Sequence, residues 1–147
     1  DLVNAANAIV NDTDARYEAF AARGWGPDVR LGEAAPVLAA PDALERVIAN
    51  LLENALAHGS GSPSVCVEGT TLTLVNPMSP DTAVRIDSAR LTERFYQGDP
   101  ARGRGGTGLG LAVARSLAEA MGGELDVGVQ KEGAPSFSAR LKLRSVS

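Results

Sequence analysis

The chain has 147 residues, 44% of them hydrophobic, with a formal net charge of −4. That length and apolar content fit one domain with its own core, and the acidic balance argues against nucleic acid as a partner. The one cysteine, Cys66, excludes an internal disulfide, and no apolar run approaches the roughly 20 residues of a membrane span.

Residues 1–23 read as a helix with Leu2, Ala5, Ala6, Ile9, Val10, Ala19 and Phe20 on an intermittent apolar face. The start at Asp1, with no signal-like region, suggests a piece cut from a longer protein. Gly24-Trp25-Gly26-Pro27 stops the helix, and Trp25 is expected to pack at the turn. Short strands follow at 28–31 and 36–39, separated by Gly32-Glu33. Asp42 is placed to cap the next helix, with Glu45 three residues on as in a capping box.

In residues 46–59, Val47, Leu51, Leu52, Ala55 and Leu56 form an apolar stripe at helical spacing. Asn50, Asn54 and His58 recur every four residues and share a second, polar stripe. Asn is a mediocre helix former, so two inside one helix need a reason. A solvated face would account for one of them; three polar residues in register, bounded by leucines, describe the wall of a site. An amide oxygen is a hard neutral ligand suited to Mg²⁺, which substrate phosphates otherwise hold.

A loop at 59–63 leads to strands at 64–67 and 71–75, joined by Glu68-Gly69-Thr70. Cys66 falls in an apolar run and is expected as a reduced core residue. Residues 81–106 show little regular structure apart from a short helical anchor at 91–96. Gly105, Gly106, Gly108 and Gly110 then open the start of a helix from Thr107. Open N–H groups, a positive dipole end and the missing Cβ atoms suit a phosphate; a flexible loop before a core helix is the plainer reading. Leu109, Leu111, Val113, Leu117 and Ala120 form that helix's apolar face, and Met121-Gly122-Gly123 ends it. Strands at 124–129 and 136–143, with a turn around Glu132-Gly133, close the chain.

These motifs reach a family. NLLENALAHG (50–59) resembles the N-box of sensor histidine kinases, and LTERFYQGDPARGRGGTGLGLAVA (91–114) resembles their F-box running into the G2 box. Order and spacing resemble the catalytic ATP-binding domain of the GHKL group, which includes gyrases and heat-shock chaperones. The resemblance covers roughly residues 42–143. It implies an α/β fold: a two-layer sandwich (Bergerat fold) of mixed sheet with helices on one face and a long ATP lid at 81–106. The cofactors it implies are ATP and Mg²⁺. Asn54 would be the Mg²⁺ ligand, and Asn50 would support it or contact phosphate. Gly106, Thr107, Gly108, Leu109 and Gly110 would supply the backbone cradle. Glu53 would act as base or orienter of the acceptor imidazole, although a solvated helix charge fits it as well. Phe95 would pack the lid onto the core.

Two departures stand out. The G1 box, normally Asp-x-Gly-x-Gly, falls on Asn76, Met78 and Pro80. In the family the aspartate accepts from the adenine amino group; Asn76 can accept only through a neutral amide oxygen, a loss of about 1 kcal/mol or fivefold. Many family members also carry a cation where this chain has Ala57. His58, Arg94, Arg102 or Arg104 would cover for it at the phosphates.

The resemblance thus implies Mg²⁺-dependent transfer of the ATP γ-phosphate to a histidine on a separate dimerisation domain, then relay to a response regulator. His58 is the only histidine, so the acceptor is not in this stretch, and residues 1–23 would be the connector from that domain. The stretch is expected to be a monomer without membrane contact. The intact protein would be a homodimer, and this its cytoplasmic domain in a membrane-anchored bacterial sensor kinase. Two other readings stay open: a pseudokinase module with altered adenine recognition that acts by protein–protein contact, and an anti-sigma-factor serine kinase.

Overall fold

The computed structural model describes residues 2–34, 36–85 and 110–145. Its centre is a five-stranded mixed sheet of β2 (Asp28–Ala34), β4 (Ser64–Gly69), β5 (Thr71–Pro77), β7 (Ser136–Lys142) and β6 (Glu124–Gln130), in that spatial order. β2 runs parallel to β4; the other pairs are antiparallel. The register sorts side chains into rows. Val67, Leu72, Leu141 and Leu125 form one, and Val65, Leu74, Ala139 and Val127 the next. Side chains alternate across the sheet, so these rows share one face, and that face is apolar. The core lies between it and the helices α1 (Ala5–Ala15), α3 (Pro41–His58) and α5 (Gly110–Ala120). Each fully buried leucine, such as Leu52, Leu72 or Leu74, contributes about 1.5–3 kcal/mol.

The opposite face carries Cys66, Thr73, Arg140 and Asp126 in one row. Cys66 is therefore on the outward, partly exposed face and free, not a core residue as expected from its apolar neighbours. Period-two alternation decides this: Val65 and Val67 point in, so Cys66 points out.

The N-terminal segment differs from one long helix. Leu2–Asn4 form β1, the chain then enters α1, and the helix breaks at Arg16 before the short α2 (Tyr17–Ala21). Asn4 is the N-cap, its side chain accepting from Asn7 N–H at 3.2 Å, so the helix cannot start earlier. β1 pairs with β3 (Pro36–Leu38), which also pairs with β8 (Arg144–Ser145), giving a three-stranded sheet that ties both chain ends together. Trp25 packs against the core as expected, with the Arg23 guanidinium 5.2 Å from its ring centroid. Arg23 also donates to the carbonyl of Leu56.

α3 buries Leu44, Val47, Ile48, Leu51, Leu52 and Ala55, as the stripe predicts. Its cap is not Asp42. Ala40 occupies the N-cap with no side-chain bond, and Pro41 is the first helical residue. Proline's fixed φ sets that start, so Asp42 falls inside the first turn, where its charge meets the helix dipole. α5 buries Ala112, Ala114 and Ala118, with Leu111, Leu117 and Met121 packed against the core. Val113 and Ala120, expected on that face, point outward. Small side chains let α5 lie close along α3, so alanines line the seam. The helix ends as read: Gly122 has φ +79°, and Gly123 N–H donates to Ala118 O at 2.9 Å.

A fourth helix was not anticipated. α4 (Pro80–Arg85) occupies the start of the segment read as irregular. Ser79 Oγ accepts from Thr82 N–H at 3.2 Å. Ser79-Pro80-Asp81 is thus a helix start, with a serine cap, a proline and an acidic first turn.

Candidate functional site

The site is built where α3, α5 and the end of β5 meet. Asn50, Asn54 and His58 lie one turn apart along α3, all half-buried, and Glu53 beside them is exposed. α5 begins at Gly110, and Asn50 Nδ2 donates to the Gly110 carbonyl at 3.0 Å. This bond joins the first residue of the polar stripe to the first turn of α5, the end that carries positive dipole and open N–H groups. Among the described residues, a Cβ on Gly110 would meet nothing within 4 Å.

Glu53 is held from another element. Its Oε1 accepts from Arg16 Nη2 at 3.2 Å, and Arg16 Nη1 lies 3.7 Å from Asp12. A cleft of about 440 Å³ runs along this side of α3, lined by Arg16, Asp42, Glu45, Arg46, Ala49, Asn50 and Glu53. Asp12 is buried, and its carboxyl is held above the usual range, mainly by burial and then by the Glu45 charge, with Arg16 opposing. Sequence reasoning missed Arg16 and Arg46. The four-residue spacing of Asp42, Arg46 and Asn50 was a visible signal for Arg46; nothing in the sequence pointed to Arg16, which reaches α3 only through tertiary packing.

At the end of β5 the altered G1 box has three separate fates. Asn76 is fully buried, on the inward face beside Phe137 of β7. Its Nδ2 donates to Pro77 O at 3.3 Å, while its Oδ1 is buried with no hydrogen-bond partner among the described residues. Met78 is 4% exposed and belongs to the core. Pro80 opens α4. The loop does not need glycine here because Met78 packs away from the site and Pro80 serves a helix start. Gly59, the C-cap of α3, abuts Asn76: a Cβ there would lie 3.0 Å from Nδ2 and 2.4 Å from Ala55 O.

A buried acceptor without a partner costs about 1–3 kcal/mol. The orphan Oδ1 of Asn76 therefore fits a ligand that brings an N–H group, as adenine does. Arg94, Arg102, Arg104, Gly106, Thr107, Gly108 and Leu109 lie outside the described residues. Among the described residues no His, Cys, Asp or Glu cluster could hold a metal, and no helix is long and apolar enough to cross a membrane.

Comparison with known proteins finds sensor kinases among the relatives. Sensor protein RstB of Escherichia coli is 36% identical over 99 residues, covering 65% of this chain and 23% of RstB. The histidine-protein kinase BaeS of the same organism is 31% identical over 132 residues, covering 86% of this chain and 28% of BaeS. The chain thus spans about a quarter of the length of these relatives. Among solved structures, the Acinetobacter baumannii histidine kinase AdeS superposes with a TM-score of 0.69 at 19% identity, over 100% of this chain and 68% of that one. That likeness establishes the two-layer α/β fold. Residues 39–145 match the family described as histidine kinase-, DNA gyrase B- and HSP90-like ATPase, and the chain belongs to that family of ATP-binding domains.

Proposed function

We propose that this chain is the catalytic ATP-binding part of a sensor histidine kinase, which passes the γ-phosphoryl group of ATP to a histidine on a separate dimerising helix. The observation that carries the reading is the junction of α3 and α5, where Asn50 donates to the Gly110 carbonyl and Asn54 lies one turn on. The sensor-kinase names of the relatives support it over a serine kinase. Asn54 is the ligand for Mg²⁺, with Asn50 holding the helix start in place. Bound there, the ion would neutralise charge on the phosphates during phosphoryl transfer. The start of α5, with the glycines before it, receives the phosphates, and Asn76 meets the base. His58 and the arginines Arg94 and Arg104 supply cationic or donor contacts at the phosphates. Glu53 orients the acceptor imidazole or takes its proton, and Arg16 sets its position. A histidine-bearing dimerisation domain and a response regulator are the partners, and the whole protein is a membrane-anchored homodimer with this domain in the cytoplasm.

Calorimetric titration of the chain with ATP, with and without Mg²⁺, tests this. Magnesium-dependent binding is expected. Absence of binding at millimolar nucleotide would remove the proposal and leave a domain that kept the fold alone.

A further inference from the structure

We propose that the groove between α1 and the start of α3 is a docking site for a basic side chain of a partner protein, its cationic head held between Asp12 and Glu45. This site is independent of the nucleotide-binding reading. Two ridges make the groove, each at helical spacing. Asn7, Asn11 and Ala15 recur every four residues along α1, with Ala8 and Asp12 beside them. Pro41 and Glu45 stand one turn apart on α3 and face that row across a space of about 520 Å³.

The charge of this groove is one-sided. Two carboxylates line it, and among the described residues no cation does. Asp12 is only 6% exposed, and among the described residues it makes no hydrogen bond. Its ion pair there is with Arg16 Nη1, at 3.7 Å, too long for a hydrogen bond. Arg16 lines the neighbouring cleft instead and gives its shorter contact, 3.2 Å, to Glu53. Glu45 lies on the ridge between the two clefts and forms no ion pair among the described residues. A carboxylate buried to this degree without a hydrogen bond is costly. Burial and the Glu45 charge accordingly hold the Asp12 carboxyl above its usual range. A cation seated between the two acids offsets both the burial and the repulsion.

The walls select among cations. Ala8, Ala15 and Pro41 set apolar surface beside the acids, which suits a charged head on a hydrocarbon stem. An ammonium or guanidinium head carries several donors and no acceptor, the complement of two carboxylates. A bare metal ion finds too few ligands, since no three His, Cys, Asp or Glu side chains come together among the described residues. The rim points to a protein as the source. The side-chain amides of Asn7 and Asn11 are exposed there, one turn apart, and make no hydrogen bond among the described residues. They offer donors and acceptors to the peptide groups that flank a basic side chain, groups that a free amine lacks.

The test follows the isotope-labelled chain by nuclear magnetic resonance as it is titrated with the capped peptide acetyl-Ala-Ala-Lys-Ala-Ala-amide. The same peptide with norleucine in place of lysine, and free cadaverine, are titrated beside it. Saturable shifts at Asn7, Asn11 and Asp12 are expected with the lysine peptide, which should bind at least about tenfold more tightly than either comparison compound. Glu45→Gln, at an exposed position, is expected to weaken the lysine peptide about tenfold, and Asp12→Asn at least as much. Thermal melting checks that both variants fold. Absence of saturable shifts at millimolar lysine peptide would remove the site, and equal binding of the norleucine peptide would overturn recognition by charge. Cadaverine binding as tightly as the peptide would overturn the protein source. Affinity unchanged in Glu45→Gln, or shifts centred on Glu124 and Asp126 of the sheet, would overturn the assignment to this groove. ATP is absent throughout, so failure here leaves the proposed function untouched, and failure of nucleotide binding leaves this site untouched.

Discussion

Along the outer side of α3, the protein supplies partners for its own polar groups. Asn50 donates to Gly110 O, Glu53 accepts from Arg16, and Arg16 reaches toward the buried Asp12. At the end of β5 the protein does the opposite: it buries Asn76 completely and leaves the acceptor Oδ1 open. In the proposed reading the two regions border one site. A surface that balances its charges internally can hold side chains in position without ligand, but exposed pairs of this kind contribute little energy, about 0–1 kcal/mol each. A buried acceptor left unsatisfied costs stability, and a ligand that donates to it recovers that cost. In the proposed reading, position comes from the first region and the base contact from the second.

The division can be broken at either end. The largest effect is expected from Asn54→Ala, which removes the proposed Mg²⁺ ligand: ATP binding with magnesium should fall by about 2–3 kcal/mol, roughly thirty- to 150-fold, and become magnesium-independent. Calorimetry with and without the ion measures this, and undiminished magnesium dependence would move the metal off α3.

Gly59→Ala acts on the other region. The added methyl would meet Ala55 O at 2.4 Å and Asn76 Nδ2 at 3.0 Å, so backbone or amide must shift. A loss of about 1–3 kcal/mol in unfolding free energy is expected, with weaker ATP binding beyond what unfolding explains. Urea denaturation and titration on the same variant separate the two. Stability lost with ATP affinity intact would show that the amide is not tied to Gly59.

The smallest effect belongs to Asp12. Its carboxyl is raised, chiefly by burial and by the Glu45 charge, against the pull of Arg16. A raised carboxyl binds protons more tightly folded than unfolded, so its contribution is full below the unfolded value near 3.8 and is lost as pH climbs through the folded value. Asp12→Asn should therefore raise the melting temperature at pH 7, by less than about 1 kcal/mol in free energy, and leave it unchanged well below pH 4. Melting curves across that range decide it; a fall at pH 7 would mean that the Arg16 pair outweighs burial.

Much of the molecule is legible in the residues. The apolar stripe of α3, the alternation of β4, β5 and β7 and the glycine end of α5 each follow from local periodicity or turn chemistry, and each is present in the structure. The polar stripe of Asn50, Asn54 and His58 follows from helical spacing in the same way. Errors arose where a local rule met a stronger neighbour. Asp42 had the chemistry of a cap, but Pro41 set the helix start. Cys66 looked apolar among valines, but its parity in the strand sent it outward. Val113 and Ala120 looked like core, but they lie two turns apart on the line of α5 that faces solvent, opposite the buried Ala114 and Ala118.

The sequence alone determined the run from β2 to β5, the pair β6 and β7, the glycine end of α5 and the family likeness, because these depend on patterns a few residues long. It also put Asn76 where the family resemblance implies an acid. Tertiary structure decided what that replacement means. Only the fold brings Pro77, Ser60 and Gly59 around the amide, and only the fold carries Arg16 to Glu53 across 37 residues of chain. Orientation and partnership of a polar group are set by what surrounds it in space, and no local pattern encodes that.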